Sequence, residues 1–214
     1  WEPLAEVLHG HMSERDRILV NAPLFHIGGT GAITAALIHR GSFALVDGFK
    51  AATFWSVVRE TGSTMTSGLI GSMAPFLAKF GRADKADGLL RRTHFYPVTE
   101  ETIAFANEFR FSYYSGYGST ELPLVLVTDL NTTVLGSCGR PRSGVECRIV
   151  DEHDQEVPAG TAGELIVRTD HTWSFTSGYN GLPEATAKAW RNGWFHTGDM
   201  LRKDGDGNYF FVDR

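Results

Sequence analysis

Cysteine is scarce in this chain, with only Cys138 and Cys147 among 214 residues. Their spacing fits no metal-ligand pattern and two thiols make no disulfide scaffold, so both are expected reduced. Apolar runs near the ~18–20 residues of a membrane helix are absent, which sets aside a membrane-spanning helix. No secretory leader stands at the start, so a cytoplasmic protein is expected. Basic runs are missing too. Lys and Arg number 20 against 25 Asp and Glu, a net charge of −5 with both signs mixed along the chain. A nucleic-acid partner calls for a basic stripe interleaved with aromatics, and none is present. Repeats and low-complexity tracts are also lacking. What is there suits a core-forming protein, with 42% hydrophobic and 21% charged residues. The chain begins at Trp1 rather than Met and stops at Arg214 after a strand-like run, so a longer parent protein is expected.

The first part alternates strand and helix patterns. Ile18 to Val20, Phe43 to Val46, Ser63 to Ser67, His94 to Pro97 and Ser112 to Ser115 read as strands. Between them, helices are expected over Ile33 to Ile38, Thr53 to Glu60 and Met73 to Phe80, and from an N-capping Thr99 through Phe109. Such alternation predicts an α/β fold, a mostly parallel sheet flanked by helices. After about residue 135 the pattern becomes strand-like runs between turn clusters: Glu146 to Val150, Glu164 to Val167 and Tyr209 to Val212. One short helix is expected over Pro183 to Trp190. An antiparallel β subdomain, a distorted barrel over 136–214, is therefore expected to follow an α/β subdomain over 1–135. Asp204-Gly205-Asp206-Gly207-Asn208 lacks the ligand spacing and terminal Glu of a calcium loop and reads as a turn.

Two clusters carry chemistry. The run Gly116-Tyr117-Gly118-Ser119-Thr120-Glu121 follows a strand, and ligands bind just outside the carboxyl ends of strands in open α/β sheets. Gly116 and Gly118 allow close backbone approach, Ser119 and Thr120 can donate to phosphate oxygens, Glu121 can hold Mg²⁺, and Tyr117 offers a face to a base. On its residues alone the run is also readable as a Gly/Ser turn between strands. The second cluster is Trp194-Phe195-His196-Thr197-Gly198-Asp199 with Asp213-Arg214. A carboxylate such as Asp199 can accept both hydroxyls of a ribose diol, and Arg214 can add a positive contact. Taken singly, Asp199 and Arg214 are also readable as turn residues.

Taken together and in order, these segments resemble the adenylate-forming superfamily of acyl-CoA synthetases, luciferases and peptide-synthetase adenylation domains. Pro23 to Gly29 looks like its acyl-pocket segment, and Tyr117 to Glu121 matches its Tyr-Gly-x-Thr-Glu motif. Gly139-Arg140-Pro141, Gly163-Glu164-Leu165, Gly178-Tyr179, Trp194 to Asp199 and Asp213-Arg214 complete the series. The resemblance implies that Tyr117 stacks on adenine, Thr120 contacts the α-phosphate, Glu121 binds Mg²⁺, and Asp199 holds the ribose with Arg214 near. His26 would sit between the acyl pocket and the nucleotide, although it is also readable as a structural histidine, and Asp213 would lie at a hinge to a further domain. His94-Phe95-Tyr96-Pro97 replaces the usual Gly-Gly-Ala-Pro-like segment at the adenine, a bulkier version resembling crotonobetaine/carnitine-CoA ligases, with Tyr96 as a nucleotide contact.

The resemblance further implies ATP-dependent activation of a small carboxylic acid to acyl-AMP and its transfer to CoA. Leu24-Phe25-His26 offers no acid for an amino group, which favours a carboxylate without an α-amine. Three alternatives stay open: a silent fragment or nucleotide- and acyl-binding module, an adenylation domain with another acceptor, and an unrelated nucleotide- or sugar-binding α/β protein. The family's phosphate loop and its C-terminal lysine have no counterpart between Trp1 and Arg214, so these 214 residues alone are expected to make no acyl-CoA.

Overall fold

Short apolar runs between helix-forming segments do build a parallel sheet. In the computed structural model, which describes residues 7–8 and 11–214, the chain divides into two compact units. The first holds Trp1–Ser115 and Asp129–Leu135, and the second holds Gly116–Thr128 and Gly136–Arg214. The chain thus passes between units three times, and a boundary near residue 135 corresponds only to the last passage.

In the first unit, β1 (Arg17–Val20) pairs in parallel with β2 (Ser42–Leu45) and β3 (Met65–Thr66). Strand β5 (Arg92–Tyr96) pairs in parallel with β3, with β4 (Leu69–Ile70) and with β6 (Ser112–Tyr114). Helices α1 (Ile27–Ile38), α2 (Phe54–Thr61), α3 (Ala74–Asp84) and α4 (Glu100–Phe109) intervene in sequence. Thr99 caps α4 as its sequence predicts. Its hydroxyl accepts the Thr102 N–H, and the Thr102 side chain returns a bond to the Thr99 N–H. Trp55, Leu77, Phe95, Phe105 and Phe109 form the centre of the core. The Trp55 indole N–H donates to the Leu77 carbonyl at 2.7 Å, so its one polar atom is satisfied inside.

The second unit is an antiparallel sheet. Its path runs β10 (Val145–Val150), β11 (Ala162–Thr169), β13 (Trp194–Lys203), β14 (Tyr209–Asp213), β9 (Ser137–Pro141), β8 (Leu126–Val127), β7 (Gly116–Tyr117). Strand β12 (Trp190–Arg191) pairs with β13 and follows α5 (Pro183–Ala189). The sheet buries Leu122, Leu126, Leu165, Val167 and Leu201. The expected α/β-then-antiparallel architecture is the one the chain adopts. The β13–β14 hairpin turns on Asp204, whose Oδ1 accepts the N–H groups of Asp206 and Asn208 at 3.0 and 2.8 Å. Its Oδ2 accepts the Asn208 side-chain N–H at 3.1 Å, so the carboxylate holds the turn. Both thiols are free, and burial pushes Cys147 up to about 12. Among the described residues no helix is long and apolar enough to cross a membrane.

Candidate functional site

Strand β13 is interrupted where its chemistry lies. Glu164 of β11 faces Met200 and Ile166 faces His196, so Leu165 alone opposes Thr197, Gly198 and Asp199. A bulge of this kind bends its strand and re-aims a side chain. Gly198 supplies the left-handed backbone the bulge needs, at φ 72°. Glu164 staples it, since Oε1 accepts the Gly198 N–H at 3.0 Å and Oε2 lies 2.9 Å from His196 Nδ1. The Thr197 hydroxyl donates to the Leu165 carbonyl and accepts the Asp199 N–H.

Held this way, Asp199 is only 5% exposed. Its Oδ2 accepts the Tyr117 hydroxyl at 2.5 Å. Its Oδ1 is buried and accepts no hydrogen bond. Arg214 Nε stands 3.2 Å from that oxygen, close enough for an ion pair but not aligned to donate, on a side chain that is 77% exposed. A buried carboxylate oxygen without a donor costs on the order of 1–3 kcal/mol, and it is where a ligand hydroxyl would be welcome. Burial, reinforced by the bond to Asp199, pushes the Tyr117 phenol far up, so it remains a donor.

Tyr117 itself is mostly covered by the second unit's core. Only a small part of its ring remains for a base. Its neighbours Gly116 and Gly118 are needed by the chain's own packing. A Cβ at Gly116 would meet the Leu126 carbonyl oxygen at 2.5 Å, and one at Gly118 the Leu124 nitrogen at 2.3 Å. The β7–β8 connection thus itself requires both glycines.

The turn ends on Glu121. Its Oε2 accepts the Ser119 hydroxyl at 2.8 Å, and its Oε1 accepts the Tyr179 hydroxyl at 3.0 Å. Burial works to raise this carboxyl. The bonds from Ser119, its own backbone and Tyr179, with the charge of Arg214, outweigh burial and hold it below the ordinary value. Thr120, between Ser119 and Glu121, is exposed. Among the described residues no three His, Cys, Asp or Glu side chains gather as a metal cage. The second unit therefore brings together Tyr117, Ser119, Glu121, Asp199 and Arg214 through two short networks.

His26 and Tyr96 belong to the first unit. His26 is exposed and caps α1, its Nδ1 accepting the Gly28 N–H at 2.9 Å. Tyr96 is 43% exposed and lies against His94, with ring centroids 4.0 Å apart. His94 is the residue in that segment whose state is most altered. It pairs in register with Tyr114 and stacks on it at 4.6 Å, and burial lowers its pKa to about 3. Sequence reasoning treated Tyr179 and Glu164 only as family markers. Tyr179 lies 58 positions from Glu121, and no local spacing signals that contact.

A family model described as "AMP-binding enzyme" matches residues 4–179. Feruloyl-CoA synthase of Amycolatopsis sp is 32% identical, covering 100% of this chain and 44% of that protein. The crotonobetaine/carnitine–CoA ligase of Citrobacter koseri is also 32% identical, over 95% of this chain and 40% of that protein. The two match equally well, so the crotonobetaine/carnitine branch is not singled out. O-succinylbenzoate coenzyme A synthetase of Bacillus subtilis, solved with AMP, has the same fold, with a TM-score of 0.84 at 23% identity over 100% of this chain and 44% of that one. The chain spans less than half the length of these relatives.

Proposed function

This chain belongs to the AMP-binding enzyme family, and on that premise we propose that it carries the adenylate-binding core of an ATP-dependent, AMP-forming acid–CoA ligase. The observation that most supports this is the buried Asp199 Oδ1, which has no donor and sits on a carboxylate already oriented by Tyr117. A ribose diol supplies the missing donors. Adenine borders the uncovered edge of Tyr117. Thr120 faces the α-phosphate, the Ser119 hydroxyl stays on Glu121, and Arg214 adds positive charge beside Asp199. Glu121 holds Mg²⁺. That ion commonly takes one or two carboxylates and fills its shell with phosphate oxygens and water, so a lone, hydrogen-bonded carboxylate fits it. When bound, it neutralises phosphate charge.

The reaction is proposed for the whole protein. An oxygen of the substrate carboxylate bonds to the α-phosphorus as the bond to pyrophosphate breaks, giving acyl-AMP. The CoA sulfur then attacks the acyl carbon, giving up its proton, and AMP departs. The residues of this chain orient the nucleotide and neutralise developing charge, the main demand of phosphoryl and acyl transfer. CoA as acceptor is supported by the names of the relatives, which are CoA ligases or synthases acting on different acids. His26 is proposed to serve the acyl group through Nε2, while its Nδ1 accepts the Gly28 N–H.

Calorimetric titration tests the ribose contact. Asp199→Ala is expected to weaken ATP binding about tenfold or more, from loss of charged hydrogen bonds of ~1.5–3 kcal/mol. Binding of 2′,3′-dideoxy-ATP is expected to be equally weak in parent and variant. Equal losses for both nucleotides on mutation would sink the assignment.

A further inference from the structure

The same site carries one residue whose task lies outside the turn itself. We propose that Tyr179 is a positioning residue that fixes the plane of the Glu121 carboxylate for a divalent cation, an inference that rests on Glu121 being the metal carboxylate. Tyr179 donates to Glu121 Oε1 at 3.0 Å while Ser119 donates to Oε2 at 2.8 Å. A carboxylate has about four lone-pair sites, so two donors on opposite oxygens stop its rotation and leave the remaining sites open. The terminal torsion of a glutamate is otherwise broad.

The loop that brings Tyr179 there is itself built for one geometry. Thr176 donates its N–H to the Glu121 carbonyl at 2.9 Å, so the loop grips this residue by main chain and side chain together. The Thr176 hydroxyl donates to the Gly178 carbonyl and accepts the Gly178 N–H. Gly178 has φ 141°, and a Cβ there would meet Thr186 Cγ2 at 2.6 Å. The Thr186 hydroxyl, on α5, accepts the Tyr179 N–H at 2.9 Å and donates to the Leu182 carbonyl. Thus α5 anchors the backbone of Tyr179, and the phenol carries that anchorage to Glu121. Hydrogen-bond partners of a metal-binding side chain typically change metal affinity ~10–100-fold when removed.

The test uses Mn²⁺ as the cation, followed by water-proton relaxation with ATP at millimolar concentration. Parent, Tyr179→Phe and Glu121→Gln proteins are compared, and ATP affinity is also measured in EDTA. Tyr179→Phe keeps the ring and the loop's backbone bonds. It is expected to raise the Mn²⁺ concentration for half-maximal effect about tenfold while leaving metal-free ATP affinity within about twofold. An unchanged Mn²⁺ requirement in Tyr179→Phe, with Glu121→Gln impaired, overturns the positioning role and leaves Glu121 as the metal carboxylate. An unchanged requirement in Glu121→Gln overturns the metal assignment itself. Loss of metal-free ATP binding in Tyr179→Phe assigns the residue a structural part and also overturns the proposal. Failure of the parent to bind ATP overturns the site.

Discussion

His94 shows how far one residue's chemistry depends on its surroundings. Its ring is 5% exposed, stacked on Tyr114, with Nε2 buried and unbonded. Burial lowers its pKa from 6.5 to about 3, so it stays neutral in the folded protein across ordinary pH. Between those two values the unfolded chain binds the extra proton. The stabilisation is therefore fully present above about 6.5 and is lost as pH falls toward 3. Each pH unit within the window corresponds to about 1.4 kcal/mol. Urea unfolding of the parent is expected to weaken steadily from pH 6.5 to 4.5, and His94→Phe, which keeps an aromatic ring against Tyr114, is expected to flatten that slope, leaving the smaller part from His11, which burial also lowers. A parallel decline in both proteins would show that His94 does not titrate this way. Gly116 and Gly118 are likewise set by their surroundings, where the neighbouring backbone leaves no room for a Cβ.

Elements place what residues alone cannot. Helix α3 has Gly81 near its end, where a sequence reader would substitute Ala for ~1 kcal/mol of helix propensity. A Cβ there meets the Phe109 ring at 2.4 Å and the Trp55 indole nitrogen at 2.7 Å, both in rigid, packed rings. Overpacking of this sort costs about 1–3 kcal/mol, so Gly81→Ala is expected to be net destabilising by up to about 2 kcal/mol in chemical denaturation. A more stable variant would mean that the α2–α4 contact yields more readily than its stacked rings suggest. Several elements were readable beforehand because their signals are local. Thr99 capped α4, Pro183 opened α5, and the apolar runs of β1, β10 and β14 fell within a residue or two of expectation. Strand β13 was not read as a strand. Its ten residues include a bulge, and the extra positions break the period-two pattern that identifies strands.

At the scale of the molecule, the family is established and the reaction is proposed for a protein of which this chain spans less than half the relatives' length. Glu121→Gln in the full-length protein is expected to lower carboxylate-dependent ATP–pyrophosphate exchange by at least about tenfold, the usual scale for losing electrostatic help at a transferring phosphoryl group. Exchange at the parental rate would remove Glu121 from the mechanism. The same assay over a panel of acids, from aromatic to short cationic ones, identifies the substrate. By itself the sequence determined the alternation of elements, the two fold classes along the chain and the family, because periodicity, caps and ordered motifs are local and survive without tertiary contacts. Only the tertiary structure decided that Asp199 is buried with one oxygen accepting no hydrogen bond, that Tyr117 orients it across 82 positions, and that Tyr179 reaches Glu121 across 58. Those contacts depend on sheet register and on a bulge, and hydrogen-bond geometry between strands distant in sequence leaves no periodic trace in the order of residues.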